Sequence, residues 1–559
     1  MPPVRPVFLL LLSVAGFLVV LSSSIGSHIE SIPTSNQFGL LQMLPPMYWV
    51  GIGTMAIALA LGMRAPNHIV FFAQAMLLYI AIWSATSLFE SYASVWDAYN
   101  HYQSAQNIIR IGHLSSDFSF TYENNYPGLF MLTAAFSILA QPDPFSFLRF
   151  YSLFASAITL LAIYLFARTY FPGLDHRLAV VLAMMADVWV QVAFSPQSVG
   201  LVAGLLVFVF LEKEGREWQA LAIVSFAFVV ISHPTSTIFV VGGLVSREIF
   251  VTIRKHWRPL KGINEHKHLI VGVMMIFWIF WLLTEARPDF QPLLTDMYHR
   301  LSYLINVTES VSGTVGSRTG GNLWPYAPYI RLATVGVFSL MALVAIALGF
   351  RKRFRNERIP TALLVLFIVP FFFIPLDVIL LNSQLYDRGI LFLILSSSVI
   401  LIFGFKYVSS IKPLRLAAIA IALMMAAACW STVYYQESLN VVSHETIDAS
   451  HFLADRLPTN TTVIGGRLVV PVWQAGIQEY SWHQYYVYNE TPLGNLTNQQ
   501  GMSVAVVFDH SSDLWGFQYG NASQVFYENK TRINNNNKVY DNGNYWVIYG
   551  WKNANYTDQ

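Results

Sequence analysis

The sequence has a single cysteine, Cys429, set inside an apolar run, so neither an intrachain disulfide framework nor a Cys-rich metal site is open to this chain. Charge is scarce as well. Only 11% of the 559 residues are charged against 55% hydrophobic, and mean hydropathy is +0.48. A water-soluble globule cannot clothe itself with so few charges, so most of the polypeptide belongs in lipid. The formal charge of +2 is spread over 33 basic and 31 acidic residues without a concentrated basic face, which removes nucleic acid from the expected partners. No internal repeat is visible, and a carrier built from two related halves would show one.

What the sequence does have is apolar runs. They fall near 7–23, 47–63, 69–88, 146–167, 178–194, 199–211, 219–232, 235–246, 269–284, 329–350, 361–380, 389–405 and 414–433, about thirteen crossings in all. Three of them, 199–211, 219–232 and 235–246, are shorter than the roughly 20 residues a spanning helix needs. Cytoplasmic loops carry the excess of Lys and Arg. The segments "SREIFVTIRKHWRPLKG" (246–262) and "RKRFRNER" (351–358) therefore face the cytoplasm together with Arg5, Arg64, Arg168, Arg177, Lys213, Arg216, Lys406, Lys412 and Arg415. The same parity puts 24–46, 89–145, 285–328 and the chain beyond 434 outside, where all N-x-[ST] sequons fall: Asn306, Asn460, Asn489, Asn495, Asn521, Asn529 and Asn555. The first run also fits a cleaved signal peptide, whose removal would leave the remaining topology unchanged.

Counting the short apolar stretch 126–144 as a crossing would invert every later loop against the basic bias, so it reads as a helix at the outer interface. From about 440 the composition shifts to Asn, Tyr and Trp. Strand candidates at "TTVIGGRLVV" and "MSVAVVF", a hairpin around Asp541-Asn542-Gly543 and a helix at 444–457 predict a small α/β unit. The expected architecture is a polytopic α-helical membrane domain over 1–439, with outer loops 89–145 and 285–328, followed by an extracytoplasmic α/β domain over 440–559.

The outer membrane-proximal segments hold Arg110, Arg149, Arg287, Arg300, Arg318, Arg331 and Arg388 but no lysine. A guanidinium grips phosphate oxygens with a planar fork that an ammonium lacks. Taken singly, an arginine there more often anchors lipid headgroups or pairs with a carboxylate. Arg388 is the best exception because "LYDRG" sets it at the mouth of a helix. In "FESYASVWDAYNHYQSAQNIIRIGHL" (89–114), a helix over 92–111 would place Asp97 and His101 on one face, with Glu90 on nearly the same line if the helix starts that early. An acidic residue beside a histidine can serve as general base toward a hydroxyl. Spacing alone favours a solvated or capping aspartate on an amphipathic interfacial helix.

The order "DAYNHYQSAQNIIRIGHL", "YPGLF", "FSPQSVGL", "SHPTS" and "YDRGILFLIL", closed by "NKVYDNGNYWVIY", resembles the GT-C superfamily of integral-membrane glycosyltransferases, especially its archaeal members. That resemblance implies a polyprenyl- or dolichyl-phosphate sugar as donor and an essential acidic residue in the first large outer loop. The match falls on Asp97, with His101 in the histidine place of a D-x-x-x-H pattern and Glu90 as the second carboxylate. His233 takes the place of a His-Pro pair. Relatives often carry adjacent acidic residues where this chain has Trp96-Asp97, and the oligosaccharyltransferase signature WWDYG is missing. Arg388, with Arg287 or Arg318, would then neutralise the departing lipid phosphate. Asp187 and Asp377, costly in lipid, are further functional candidates. The reading is an inverting transferase acting on an acceptor hydroxyl outside, with membrane lipid as its other partner. It requires no metal or other cofactor, and no ligand cluster for one is seen. The alternative is a transporter or flippase of lipid-linked sugars.

Overall fold

The computed structural model describes residues 6–65, 67–114, 121–171, 173, 175–186, 193–257, 267–302, 323–350, 359–380, 385–456, 461–465, 485–486, 503–509, 538–541 and 545–549. The helices are α1 (Pro6–Ser24), α2 (Pro46–Gly62), α3 (His68–Trp83), α4 (Ala85–Phe89), α5 (Trp96–Ile111), α6 (Thr121–Asn125), α7 (Gly128–Ala140), α8 (Pro144–Tyr170), α9 (His176–Ala186) and α10 (Pro196–Leu211). They continue as α11 (Arg216–Ser232), α12 (Pro234–Trp257), α13 (Lys267–Leu283), α14 (Arg287–Ser302), α15 (Tyr326–Gly349), α16 (Thr361–Leu380), α17 (Tyr386–Tyr407), α18 (Lys412–Trp430) and α19 (His444–Arg456).

Among the described residues the apolar runs fall on these helices, with the run 178–194 followed as α9 as far as Ala186. Among the described residues, α1, α8, α12, α15, α17 and α18 are long and apolar enough to cross a membrane, and the remaining runs form shorter apolar helices. The chain is a multi-pass membrane protein. Proline opens α2, α8, α10 and α18, where its missing N–H costs nothing.

Three expectations change. The run 69–88 breaks at Ser84 (φ −114°, ψ 23°) into α3 and α4. The run 235–246 grows into the apolar span Pro234–Ile253, so it is not short. The expected loop at 246–262 accordingly begins as helix, with α12 continuing to Trp257. It can do so because no proline interrupts it before Pro259 and because buried Arg247 pairs with Glu248 and, at 3.8 Å, with Glu212.

One helix sits at the centre. In α17, 89% of the apolar window is buried inside the bundle, against 22% in α1 and 17% in α18, which lie at the lipid-facing rim. Central α17 packs on α9, α12, α15 and α16, and its first turn carries Arg388. The interfacial segment forms α7. It exposes Met131, Leu132, Phe136 and Leu139 while burying Leu129, Phe130 and Thr133, as expected of a helix with one apolar face toward lipid.

Toward the C-terminus, five strands, β1 (Thr461–Gly465), β2 (Tyr485–Tyr486), β3 (Ser503–Asp509), β4 (Lys538–Asp541) and β5 (Tyr545–Tyr549), form one sheet in the order β2-β1-β3-β5-β4. The β2–β1–β3 pairs are parallel, and β3–β5 and β4–β5 are antiparallel. Strands thus arise at both predicted sites, and β4 and β5 flank the predicted Asn542-Gly543 turn, itself outside the described residues. Helix α19 joins sheet and bundle: Phe452 stacks on Tyr540 with ring centres 4.4 Å apart, while Ile447 packs beside Tyr99.

Buried helix ends are closed by side chains from distant segments. Arg177, fully buried at the start of α9, donates from one guanidinium nitrogen to the carbonyls of Gly62 (2.9 Å) and Met63 (3.1 Å), which leave α2 without intrahelical partners. The basic residue expected on the cytoplasmic side from its charge alone thus has a packing role. Hydrogen bonds from charged groups contribute about 1.5–3 kcal/mol. Arg177→Met should therefore lower the apparent thermal midpoint of the detergent-solubilised protein by several degrees, measured by intrinsic fluorescence, and Arg177→Lys should recover only part of the loss.

Candidate active site

Helix α5 begins abruptly. Val95 lies at φ +74°, a region that β-branched residues rarely occupy, and its N–H donates to the carbonyl of Asn440 at 3.2 Å. Asp97 follows in the first turn, where a carboxylate faces the positive end of the helix. One side of α5 is fixed by an aromatic cluster: Ala98, Tyr99 and Tyr102 pack among Leu129, Leu148, Phe194, Val442 and Ile447. The other side carries the predicted pair. His101 Nε2 lies 3.2 Å from Asp97 Oδ2, with the histidine side chain 12% exposed and the aspartate 48%. The first figure means a ring held in place, and the second a carboxylate that an incoming molecule can reach.

With Nε2 donating to Asp97, His101 Nδ1 is an acceptor. It is buried and has no hydrogen-bond partner among the described residues. Phe130 flanks the ring at 5.6 Å between centres, and Tyr122 does so at 6.4 Å.

His233 occupies the turn between α11 and α12. Its Nδ1 accepts from the Ser236 backbone N–H at 3.1 Å, so the side chain caps α12 and Nε2 carries the hydrogen. Burial first, with the Arg388 guanidinium and His101 adding to it, brings the imidazole down to about 3, so this ring is neutral at ordinary pH. His233 therefore lies within electrostatic reach of both Arg388 and His101.

The degenerate sequence pieces converge here. Phe130 of "YPGLF" lies on His101, Phe194 of "FSPQSVGL" lies 6.1 Å from Tyr102, and Gly200 of the same piece backs onto "SHPTS". A Cβ at Gly200 would come within 3.0 Å of His233 Cβ and 2.9 Å of Ser236 Oγ, so a side chain there would have to displace these two residues.

The arginines separate by partner. Arg149 Nε donates to the Ser87 carbonyl at 3.1 Å. Arg331 closes the end of α18 through the Thr432 carbonyl (2.7 Å) and Val433 carbonyl (3.2 Å), and lies over the Tyr435 ring. Both serve the backbone. Arg287 is exposed at the start of α14. Arg388 is the one whose charge reaches His233. Arg318, Asp187 and all the sequon asparagines, Asn306, Asn460, Asn489, Asn495, Asn521, Asn529 and Asn555, lie outside the described residues.

Glu90 is not on the Asp97 line. Because α5 starts at Trp96, Glu90 instead ends α4 in extended backbone (φ −95°, ψ 152°), bridged to Ile29. It lies near Tyr99, on the side of α5 opposite Asp97 and His101. Its carboxylate is fully buried, and neither oxygen has a hydrogen-bond partner among the described residues. Burial, followed by the neighbouring Glu437, raises its pKa well above the usual range, with Arg149 opposing. Burial likewise pushes Glu437 up to about 7, against a hydrogen bond with Ser94. Sequence reading missed Glu437, since nothing in "YYQES" signals a partner so far upstream.

No family model matches the sequence, and no curated protein does either. Among solved structures, ArnT from Cupriavidus metallidurans bound to undecaprenyl phosphate shares the fold, with a TM-score of 0.51 at 12% identity over 88% of this chain and 99% of that one. ArnT from the same organism in the apo state gives a TM-score of 0.40 at 13% identity, over 86% and 98%. The likeness of the first is one of fold.

The buried acids have a pH signature. A carboxyl whose folded pKa exceeds its unfolded value contributes stability that is complete below the unfolded value, 4.5 for Glu437, and lost as pH rises through about 7. Thermal stability should fall between pH 5 and 8. Glu437→Gln, which mimics the protonated acid, should flatten that fall and be more stable than the wild type at pH 8, as read from melting curves across this range.

Proposed function

We propose that the protein is an inverting glycosyltransferase that moves a sugar from a polyprenyl-phosphate carrier to an acceptor hydroxyl on the extracytoplasmic face. The observation that carries this reading is the half-exposed Asp97, braced by His101 at 3.2 Å and placed at the same end of the bundle as Arg388. The shared fold with ArnT, whose structure holds undecaprenyl phosphate, supports a lipid phosphate as the donor's leaving group.

In this mechanism Asp97 accepts the proton of the acceptor hydroxyl as its oxygen attacks the anomeric carbon. The new glycosidic bond forms as the bond from that carbon to phosphate oxygen breaks, and polyprenyl phosphate departs as an anion. Such a leaving group needs little help from a general acid. It needs charge neutralisation, which Arg388 at the mouth of the central helix supplies through its bidentate fork. Positive charge builds on the sugar ring in the transition state, and the Asp97 carboxylate stabilises it. His101 holds Asp97 in place, and neutral His233 shapes the pocket without adding a charge that would compete with Arg388. Arg287 and Arg318 are secondary phosphate contacts in this scheme, and Glu90 supports α5 from behind.

Asp97→Asn keeps the size of the side chain and removes the base, so turnover should fall by about a hundredfold or more while donor binding survives. Initial rates of transfer from a radiolabelled polyprenyl-phosphate sugar test this, and near-normal transfer would refute the mechanism.

In the proposed orientation 285–302 and the C-terminal unit face outward, and 351–358 faces the cytoplasm. Single cysteines in a Cys429→Ser background should react with an impermeant maleimide on intact cells at Tyr298→Cys and stay unlabelled at Arg355→Cys. The reverse pattern would invert the topology.

A further inference from the structure

The first turn of α17 is held by a buried carboxylate that the proposed chemistry does not use. Asp377 is fully buried in the last turn of α16, two residues after Pro375. Both of its oxygens accept from one backbone donor, the N–H of Leu385, at 3.1 and 3.0 Å. Leu385 is the residue from which α17 starts, and its carbonyl accepts from the N–H groups of Arg388 (3.1 Å) and Gly389 (3.0 Å). A single residue, Leu385, thus links Asp377 through its N–H to the backbone of Arg388 through its carbonyl.

The same turn is also held by contact. A Cβ at Gly389 would meet Ile374 Cγ1 and Phe239 Cζ, each at 2.9 Å, so α17 enters pressed against α16 and α12 at this point. With its backbone held by the hydrogen bonds through Leu385 and by this close packing, Arg388 has little freedom in where its stem leaves the helix.

We propose that Asp377 is the positioning residue of Arg388: it anchors the peptide that starts α17, so that the guanidinium is already aimed at the lipid-phosphate site before donor arrives. This rests on the reading that Arg388 binds the donor phosphate. Preorganisation of this kind enters the affinity for donor, because a guanidinium free to wander must be ordered upon binding. Asp377 touches no substrate, and its effect passes wholly through Arg388.

The test is a double-mutant cycle on the full-length protein in nanodiscs, reading the Kd for undecaprenyl phosphate with Arg388→Ala, Asp377→Asn, Asp377→Ala and the double variant Asp377→Ala with Arg388→Ala. Arg388→Ala should weaken binding by about tenfold to a hundredfold, the range of a lost charge-assisted contact. Asp377→Asn, which keeps the shape but loses the charge, should weaken it about three- to tenfold, and Asp377→Ala by more. The double variant should bind no more weakly than Arg388→Ala alone. In transfer assays Asp377→Asn should raise the donor KM and leave kcat at saturating donor within about twofold, since the base is untouched. Should Asp377→Ala fail to fold, Asp377→Asn combined with Arg388→Ala completes the cycle.

Wild-type affinity in the Asp377 variants beside a weakened Arg388→Ala would overturn the positioning role while leaving the donor reading intact. So would effects that multiply in the double variant, because Asp377 would then act independently of Arg388. Wild-type affinity in Arg388→Ala would instead remove the donor reading itself, and the inference with it.

Discussion

A helix that ends inside a membrane protein leaves N–H and C=O groups without partners, and where water is excluded these groups must be met by the protein. This constraint runs through the whole bundle. Arg177 meets the last carbonyls of α2, Arg331 those of Thr432 and Val433 in the turn after α18, His233 the Ser236 N–H in the first turn of α12, and Asp377 the N–H that opens α17. Tyr48 and Tyr434 donate to the carbonyls of Ala81 and Ile82 near the end of α3, and Trp83 donates to that of Met184 in α9. Apart from the local cap at His233, the partner comes from another helix or turn, so closing a helix end also fixes the packing of two elements.

The same constraint explains where the chemistry can sit. Polar groups are costly between apolar helices and necessary at their ends, so the side chains available for proton transfer and phosphate binding gather at one end of the bundle. The candidate site is assembled from such ends: the first turn of α5, the turn between α11 and α12, and the first turn of α17. Its rigidity comes from the apolar side. Tyr99 and Tyr102 fix one face of α5 in an aromatic cluster, which leaves the opposite face, with Asp97 and His101, open but held. Arg388 gains its position from the most enclosed helix of the fold.

The buried acids Glu90 and Glu437 show how tertiary structure reassigns a residue. By sequence, Glu90 stands beside Asp97 as a second carboxylate of one segment. In the fold, α4 ends and the chain turns before α5 starts, so Glu90 points into the protein toward Glu437 while Asp97 faces the accessible side. Two carboxylates seven residues apart thereby acquire opposite surroundings, one dry and one half in solvent. The arginines diverge in the same way. Identical side chains at similar depth become caps at Arg149 and Arg331 and a charge within reach of His233 at Arg388.

The sequence by itself determined the membrane class, the location of the apolar helices, the strands near the C-terminus and the local pairing of Asp97 with His101. These depend on composition over a window or on spacing within one helix, which the linear chain expresses directly. It left open where α3 gives way to α4 and how far α12 runs, because a single polar residue such as Ser84 or Arg247 breaks a helix or continues it according to the partner it finds. Only the tertiary structure decided that His101 and Arg388 both come within electrostatic reach of His233, that Glu90 belongs with Glu437, and that Asp377 holds the start of α17. The physical reason lies in the solvent: in lipid, the face of a helix turned to hydrocarbon and the face turned to a neighbouring helix are both apolar, so the sequence carries little contrast from which to read which helices pack together and which ends they share.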